Sequence, residues 1–201
     1  MISKSLYDCL LDLINEELEK NLWSSNDKFS DIKKLSIDQR GRVGEHFFEL
    51  VFRELNILNK YVNNAHGDWD IEADGLKIEI KTATLDINRK FQHEGIKENK
   101  TWDVVAFLDI APNEIYVSFI HKNNFTFGLN NFKNNESIKH GEVWIYGKKQ
   151  NIHFRGKDNT NRRATGAGYK VDFYQKDLKK VETIKDIENL FIAMKKEANL
   201  K

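Results

Sequence analysis

The stretch Asp68–Lys81, which reads DWDIEADGLKIEIK, alternates apolar and polar side chains on both sides of the dipeptide Asp74-Gly75. Such alternation is typical of strands with one buried face, and Asp-Gly between two such runs is a strong signal for a two-residue turn. The stretch therefore predicts a β-hairpin, and Ala73 should pair with Leu76 across its turn.

This register places acidic and basic side chains opposite one another on one side of the hairpin: Asp68 with Lys81, Asp70 with Glu79, and Glu72 with Lys77. The other side carries apolar pairs, Trp69 with Ile80 and Ile71 with Ile78. A solvated outer face would explain the two pairs of opposite charge. It does not explain the carboxylates of Asp70 and Glu79, because like charges directly opposite on a sheet are destabilising.

Two adjacent carboxylates need a shared proton or a cation between them. Mg²⁺ is commonly held by one or two carboxylates together with water and phosphate oxygens. Lys81 projects to the same side as Glu79 and could hold a water molecule or stabilise a phosphoryl oxygen. The spacing thus predicts a metal site, with Asp68 as the alternative to Asp70 if the turn register slips by two residues.

Helices are predicted around this hairpin. Apolar residues at helical spacing predict a first helix from Lys4 to Glu19 with one face packed on the body of the protein. Ser36 and Gln39 form a capping-box pattern before a second helix that ends near Asn56, and Gly41 and Gly44 within it would allow close approach of another backbone. Thr183 and Asp186 predict the start of a last helix, over residues 183–198.

Strands are predicted after the hairpin. The apolar run Asp103 to Ala111 is typical of a central strand, and Glu114 to Ile120 should lie beside it. Shorter strands are expected at residues 142–146, 151–155 and 169–174, whereas the Asn-rich residues 123–135 are expected to form a loop or a helix. The whole pattern predicts an α/β (α+β) fold with a central mixed sheet flanked by helices.

The composition limits the class of protein. The 201 residues contain 32 Lys and Arg against 31 Asp and Glu, with one Pro and one Cys. This profile excludes collagen, a disulfide scaffold and wholesale disorder. No stretch approaches the roughly 20 apolar residues of a membrane helix, so we expect a single cytoplasmic domain over residues 1–201 with no membrane partner.

Asp70 followed by Glu79-Ile80-Lys81, behind a helix that bears Gly44-Glu45, resembles the signature of PD-(D/E)xK nucleases, although Trp69 replaces the Pro that names the motif. The resemblance covers about Gln39 to Ile120 and implies a restriction-endonuclease-like core over about residues 36–120. It implies that Asp70, Glu79 and the Ile80 carbonyl bind Mg²⁺, that Lys81 activates water, and that Glu45 orients a ligand or a second metal. In the segment after this strand, it implies that Gln92 or His93 approaches the scissile phosphate.

The C-terminal part carries an excess of positive charge, with seven Lys and Arg residues but one Asp between Lys148 and Lys170. Lys can bind phosphates, and Arg and Asn can also read base edges. Residues 140–175 are therefore predicted to form a β-rich, DNA-reading elaboration whose contacts are Arg155, Lys157, Asn161, Arg162, Arg163, Tyr169 and Lys170.

Together these features predict a Mg²⁺-dependent endodeoxyribonuclease acting on double-stranded DNA, of the sequence-specific type II restriction kind, and the resemblance implies a homodimer. Two alternatives remain. A structure-selective nuclease, such as a Holliday junction resolvase or a repair endonuclease, would share the site. A non-catalytic DNA-binding module would carry the same charges without a metal.

Overall fold

A computed structural model describes residues 6–61, 67–133, 136–155 and 168–199 of the chain. The helices are α1 (Leu6–Glu19), α2 (Ile37–Glu54) and α3 (Ile184–Glu197). None of the helices in these ranges is long and apolar enough to span a membrane. The strands, in chain order, are β1 (Asn59–Tyr61), β2 (Ile71–Ala73), β3 (Leu76–Thr84), β4 (Lys90–Ile96), β5 (Val104–Ile110), β6 (Ile115–His121), β7 (Phe125–Lys133), β8 (Glu136–Ile145), β9 (Lys148–Arg155), β10 (Gly168–Tyr174) and β11 (Lys180–Val181).

The first sheet has the strand order β1-β2-β3-β5-β6-β11. It is mixed, because β3 and β5 are parallel while the other neighbouring strands are antiparallel. All seven residues of β5 are buried, as its continuous apolar run predicts for a central strand. Phe48 and Phe52 of α2 and Phe191 of α3 pack on one face of this sheet around Phe119 of β6.

The second sheet is antiparallel, with the order β4-β10-β9-β8-β7. It packs on the other face of the first sheet, where Phe107 of β5 meets Phe173 of β10 at 5.0 Å between ring centroids. Trp102, just before β5, meets Phe125 of β7 at 5.5 Å. The first sheet is therefore buried on both faces, between helices on one side and the second sheet on the other.

The local predictions that rest on turn and cap chemistry are confirmed. Ser36 and Gln39 form the capping box of α2, and Thr183 and Asp186 form that of α3. The β2–β3 hairpin has the predicted pairs around Asp74-Gly75, and the strands predicted between residues 103 and 120 and in the C-terminal part are present. The fold is a mixed α/β architecture, as predicted.

Two predictions about the periphery are wrong. Residues 123–135 were assigned to loop or helix, but β7 occupies Phe125–Lys133, because Phe125 and Phe127 stack at 5.4 Å and the strand pairs with β8. Helix α1 exists but does not bury its apolar face, since Leu10, Leu13 and Leu18 are 56%, 59% and 60% exposed. Helices α2 and α3 already cover that face of the first sheet.

Candidate active site

An open groove of about 1080 Å³ lies between the first turns of α2 and strands β3 and β4. Four of the residues predicted to be catalytic line it together: Glu45, Asp70, Glu79 and Lys81. Lys100, from the segment between β4 and β5, lines it as well. The fold thus gathers residues from several separate segments around one cavity.

Helix α2 lies close to β3 because residue 44 is Gly. A Cβ atom at this position would stand 1.8 Å from the Thr82 hydroxyl oxygen, so a larger residue requires the Thr82 side chain or the helix to shift. The predicted close approach at Gly44 is confirmed, whereas a Cβ at Gly41 would meet no atom within 4 Å. This approach puts Glu45 on the groove, where its Oε2 accepts a hydrogen bond from the Tyr61 hydroxyl at 2.6 Å. That bond is the main reason, ahead of burial, that the pKa of Tyr61 rises to about 12.

Asp70 sits where the hairpin ladder stops. Strand β2 begins at Ile71; the amide of Asp70 bonds to the Ile78 carbonyl at 2.9 Å, and its carboxylate accepts from the Ile80 amide at 2.7 Å. The N–H and C=O of one strand residue point to the same side. The Ile80 carbonyl therefore faces the same open edge of β3 as the Asp70 carboxylate.

Glu79 is almost completely buried, with 3% of its surface exposed. The Lys81 ammonium lies 2.6 Å from Oε1, and the Lys100 ammonium lies 2.9 Å from Oε2. Both carboxylate oxygens are therefore engaged by cations. At Asp70, burial and then the neighbouring Glu79 charge raise the pKa of the carboxyl group to about 6.

The outer part of the predicted register is wrong. Asp68 does not face Lys81, because its carboxylate accepts hydrogen bonds from the Thr101 amide and hydroxyl at 3.3 and 2.9 Å. Trp69 does not face Ile80; it packs toward the second sheet, with the Lys77 ammonium 4.4 Å from its ring centroid. Asp70, and not the alternative Asp68, is the carboxylate that lies beside Glu79.

Gln92 and His93, the two residues predicted to approach a phosphate, lie in different environments. Gln92 is exposed at the groove, where it donates to Asp86 at 2.9 Å and accepts from Lys170 at 3.0 Å. The side chain of His93 is fully buried, with Nε2 2.7 Å from Oδ1 of Asp109. His93 is among the residues that line the groove, but its ring is enclosed in this conformation, and its contact with a phosphate stays a prediction.

The predicted DNA contacts of the C-terminal part lie mostly outside the described residues. Lys157, Asn161, Arg162 and Arg163 fall within residues 156–167, and the side chain of Arg155 at the end of β9 is likewise outside the description. Tyr169 is buried and its hydroxyl accepts from the Gly128 amide at 2.9 Å. Lys170 is 8% exposed and pairs with Asp172 at 3.3 Å. Both side chains are engaged within the protein in this structure, and DNA contacts at Tyr169 and Lys170 stay predictions.

Sequence reasoning missed several residues that line the groove. Arg42 lies three residues before Glu45, a spacing that puts both on one side of α2 and could have identified it. Lys33 and Arg40 add two further cations. Tyr61 and Lys100 carry no local signal, because the fold brings them to Glu45 and Glu79 from 16 and 21 residues away.

The oxygen atoms at the open edge of β3 suit a small, hard cation. The described part of the chain contains no group of three or more His, Cys, Asp or Glu side chains arranged as a metal site. Asp70 and Glu79, with the Ile80 carbonyl, form a smaller set of oxygen ligands. Mg²⁺ needs no larger set, because it keeps several waters and takes further oxygens from a phosphate substrate.

The chemistry of this groove has to be inferred from its own residues. Comparisons of the chain with protein-family models, with curated proteins and with solved structures give no match.

Proposed function

We propose that this chain is a Mg²⁺-dependent endodeoxyribonuclease of the sequence-specific, type II restriction kind, with a PD-(D/E)xK core. The observation that carries the proposal is the meeting of Asp70, Glu79 and Lys81 at the open edge of β3, inside a groove that also holds Glu45. The order of α2, the hairpin, β3, β5 and β6 is the order that the sequence resemblance requires.

Asp70, Glu79 and the Ile80 carbonyl would hold the cation. When bound, Mg²⁺ polarises a phosphate oxygen and lowers the pKa of a coordinated water. Lys81 would orient the attacking water and stabilise the charge that develops on the phosphate. The attacking water would give up a proton to solvent as its oxygen bonds to phosphorus, the opposite ester bond would break, and the leaving oxygen would take up a proton from solvent. Glu45, fixed by Tyr61, would hold a water ligand on the α2 side of the groove.

The charges of the groove support a polyanionic substrate. A carboxylate cluster alone would repel a phosphodiester backbone. Lys33, Arg40 and Arg42 line the same groove and would offset this repulsion. The basic residues 156–167, which adjoin β9 and β10, are proposed to contact DNA and read its sequence. The proposed partner is therefore double-stranded DNA, and the proposed location is the cytoplasm.

The test of this proposal is a cleavage assay on several long, fully sequenced DNAs, with Mg²⁺ or EDTA. We expect discrete Mg²⁺-dependent fragments that disappear in Lys81→Met. Lys77→Met is the matched control. It removes the same charge from the same strand, but the Lys77 ammonium lies over the Trp69 ring and not beside Glu79. Cleavage of four-way junctions in place of linear DNA would favour the structure-selective nuclease. Intact DNA in both assays would leave the non-catalytic binding module.

The homodimer is part of the same proposal, because two identical sites are needed to cut both strands of a duplex in one binding event. The exposed apolar side chains of α1 are the surface we propose for it. Light scattering should give twice the chain mass for the wild type and the chain mass for Leu13→Glu with Leu18→Glu. A monomeric wild type would contradict this part alone.

A further inference from the structure

We infer that Lys100 is a second phosphate-binding residue. In the free protein its ammonium group is bonded to the Glu79 carboxylate. When a divalent cation binds the carboxylates, this ammonium moves to a phosphodiester oxygen. This inference rests on the proposed function. It assigns to Lys100 a role that the D…ExK pattern does not contain, and it predicts how metal and DNA binding are coupled.

Both oxygens of Glu79 are already bonded in the free protein. Lys81 binds Oε1 at 2.6 Å and Lys100 binds Oε2 at 2.9 Å, while the Glu79 side chain is only 4% exposed. A divalent cation at a Glu79 oxygen would lie within a few ångströms of an ammonium group on the same carboxylate, and the two positive charges would repel each other. Binding of a divalent ion and binding of Lys100 to this carboxylate are in competition.

The backbone around Lys100 is held by several contacts, so that only the side chain can move. The Lys100 carbonyl accepts from the Lys122 ammonium, and the next residue, Thr101, is tied to Asp68 through its amide and its hydroxyl. Trp102, almost fully buried, follows and bonds through its indole to the Lys97 carbonyl at 2.9 Å. The backbone is thus anchored, whereas the flexible four-carbon stem ends in the groove with 19% of the side chain exposed.

The displaced ammonium would lie next to the place where a substrate phosphate must sit. An ammonium left without its carboxylate in a partly buried groove is unfavourable, and a phosphodiester oxygen restores a charge-assisted bond. Cation binding at Glu79 should therefore strengthen DNA binding through Lys100. By thermodynamic reciprocity, DNA should strengthen cation binding by the same factor.

The experiment is a calorimetric titration of the full chain with Mn²⁺, alone and in the presence of a short phosphorothioate duplex that resists hydrolysis. For Lys100→Met we expect Mn²⁺ alone to bind about tenfold more tightly than to the wild type, because a charge-assisted bond no longer competes. The duplex should tighten Mn²⁺ binding to the wild type by a larger factor than to Lys100→Met, in which only the direct contact between phosphate and metal remains. Lys77→Met serves as the charge-matched control and should behave as the wild type.

The outcomes separate this inference from the proposed function. Mn²⁺ binding that is equal in the wild type and Lys100→Met, or that is tightened equally by the duplex, would overturn the role of Lys100 and leave the nuclease proposal standing. An absence of Mn²⁺ binding in every variant would overturn both. If Lys100→Met fails to give a cooperative thermal transition, the wild type decides, because a duplex without effect on its Mn²⁺ affinity contradicts the exchange.

Discussion

Glu79 and Asp109 lie on the same face of the first sheet, on the neighbouring parallel strands β3 and β5, and both are buried, Glu79 beside lysines and Asp109 beside His93. Glu79 is reached by two lysines from an open groove, with Asp70 beside it. Asp109 meets His93 alone, and the imidazole is enclosed by the rings of Phe107 and Phe173 at 4.7 and 5.6 Å. One carboxylate lines an open groove, and the other is enclosed by aromatic rings.

The difference shows that burial of a charge does not by itself indicate function. Burial raises the pKa of Asp109, and the charge of His93 acts against that rise. In the part of the chain that is described, Oδ2 of Asp109 and Nδ1 of His93 have no hydrogen-bond partner. This pair is closed to ligands and stabilises the packing of β4 on β5. The Glu79 cluster differs because solvent, a cation or a substrate can reach it.

The largest expected effect distinguishes the two carboxylates by activity. Glu79→Gln should lower cleavage about 1,000-fold or more, equivalent to about 4 kcal/mol in the activation barrier. Asp109→Asn, measured well below its melting temperature, should retain cleavage within about tenfold, since Asp109 does not reach the groove. The measurement is single-turnover cleavage at saturating Mg²⁺. A folded Asp109→Asn protein as inactive as Glu79→Gln would remove the distinction.

The second-largest effect is expected at Asp109 and concerns the free energy of unfolding. Asp109→Ala should lower the free energy of unfolding by about 3–5 kcal/mol, because it leaves the buried His93 without a partner. The double variant His93→Phe with Asp109→Leu should recover most of this loss, since apolar groups of similar size often replace a buried pair. Urea unfolding measures both. Full stability of the single variant would show that the pair contributes nothing.

These two sites also show what the sequence could predict. The hairpin, the Gly44 contact and the closeness of Asp70 and Glu79 follow from turn chemistry and side-chain periodicity, which act over a few residues. The burial of His93 was missed, although Phe91 and His93 alternate with Gln92 and Glu94 as in a strand. Lys100 could not be predicted, because its contact with Glu79 depends on how β4 crosses to the second sheet.

The third prediction concerns Asp70 and the pH dependence of stability without metal. Its pKa is raised from 3.8 to about 6, so the folded state keeps this proton longer than the unfolded chain. The resulting stabilisation is complete below pH 4 and is lost as the pH rises through about 6. At pH 8, in EDTA, Asp70→Asn should therefore be more stable than the wild type by up to about 3 kcal/mol. At pH 4 the two melting temperatures should converge; a constant difference would contradict the raised pKa.

The smallest effect is expected at Tyr61, which acts on the Glu79 groove only through Glu45. Its pKa of about 12 keeps the hydroxyl protonated near neutral pH, so it remains a hydrogen-bond donor to the carboxylate. Tyr61→Phe removes this bond, worth about 1 kcal/mol, and keeps the ring beside His46. Because Glu45 is then free to turn away from the groove, the Mg²⁺ concentration for half-maximal cleavage should rise a few-fold while the maximal rate stays near that of the wild type. A loss of maximal rate at saturating Mg²⁺ would instead place the Tyr61 hydroxyl, which also lines the groove, in contact with the substrate.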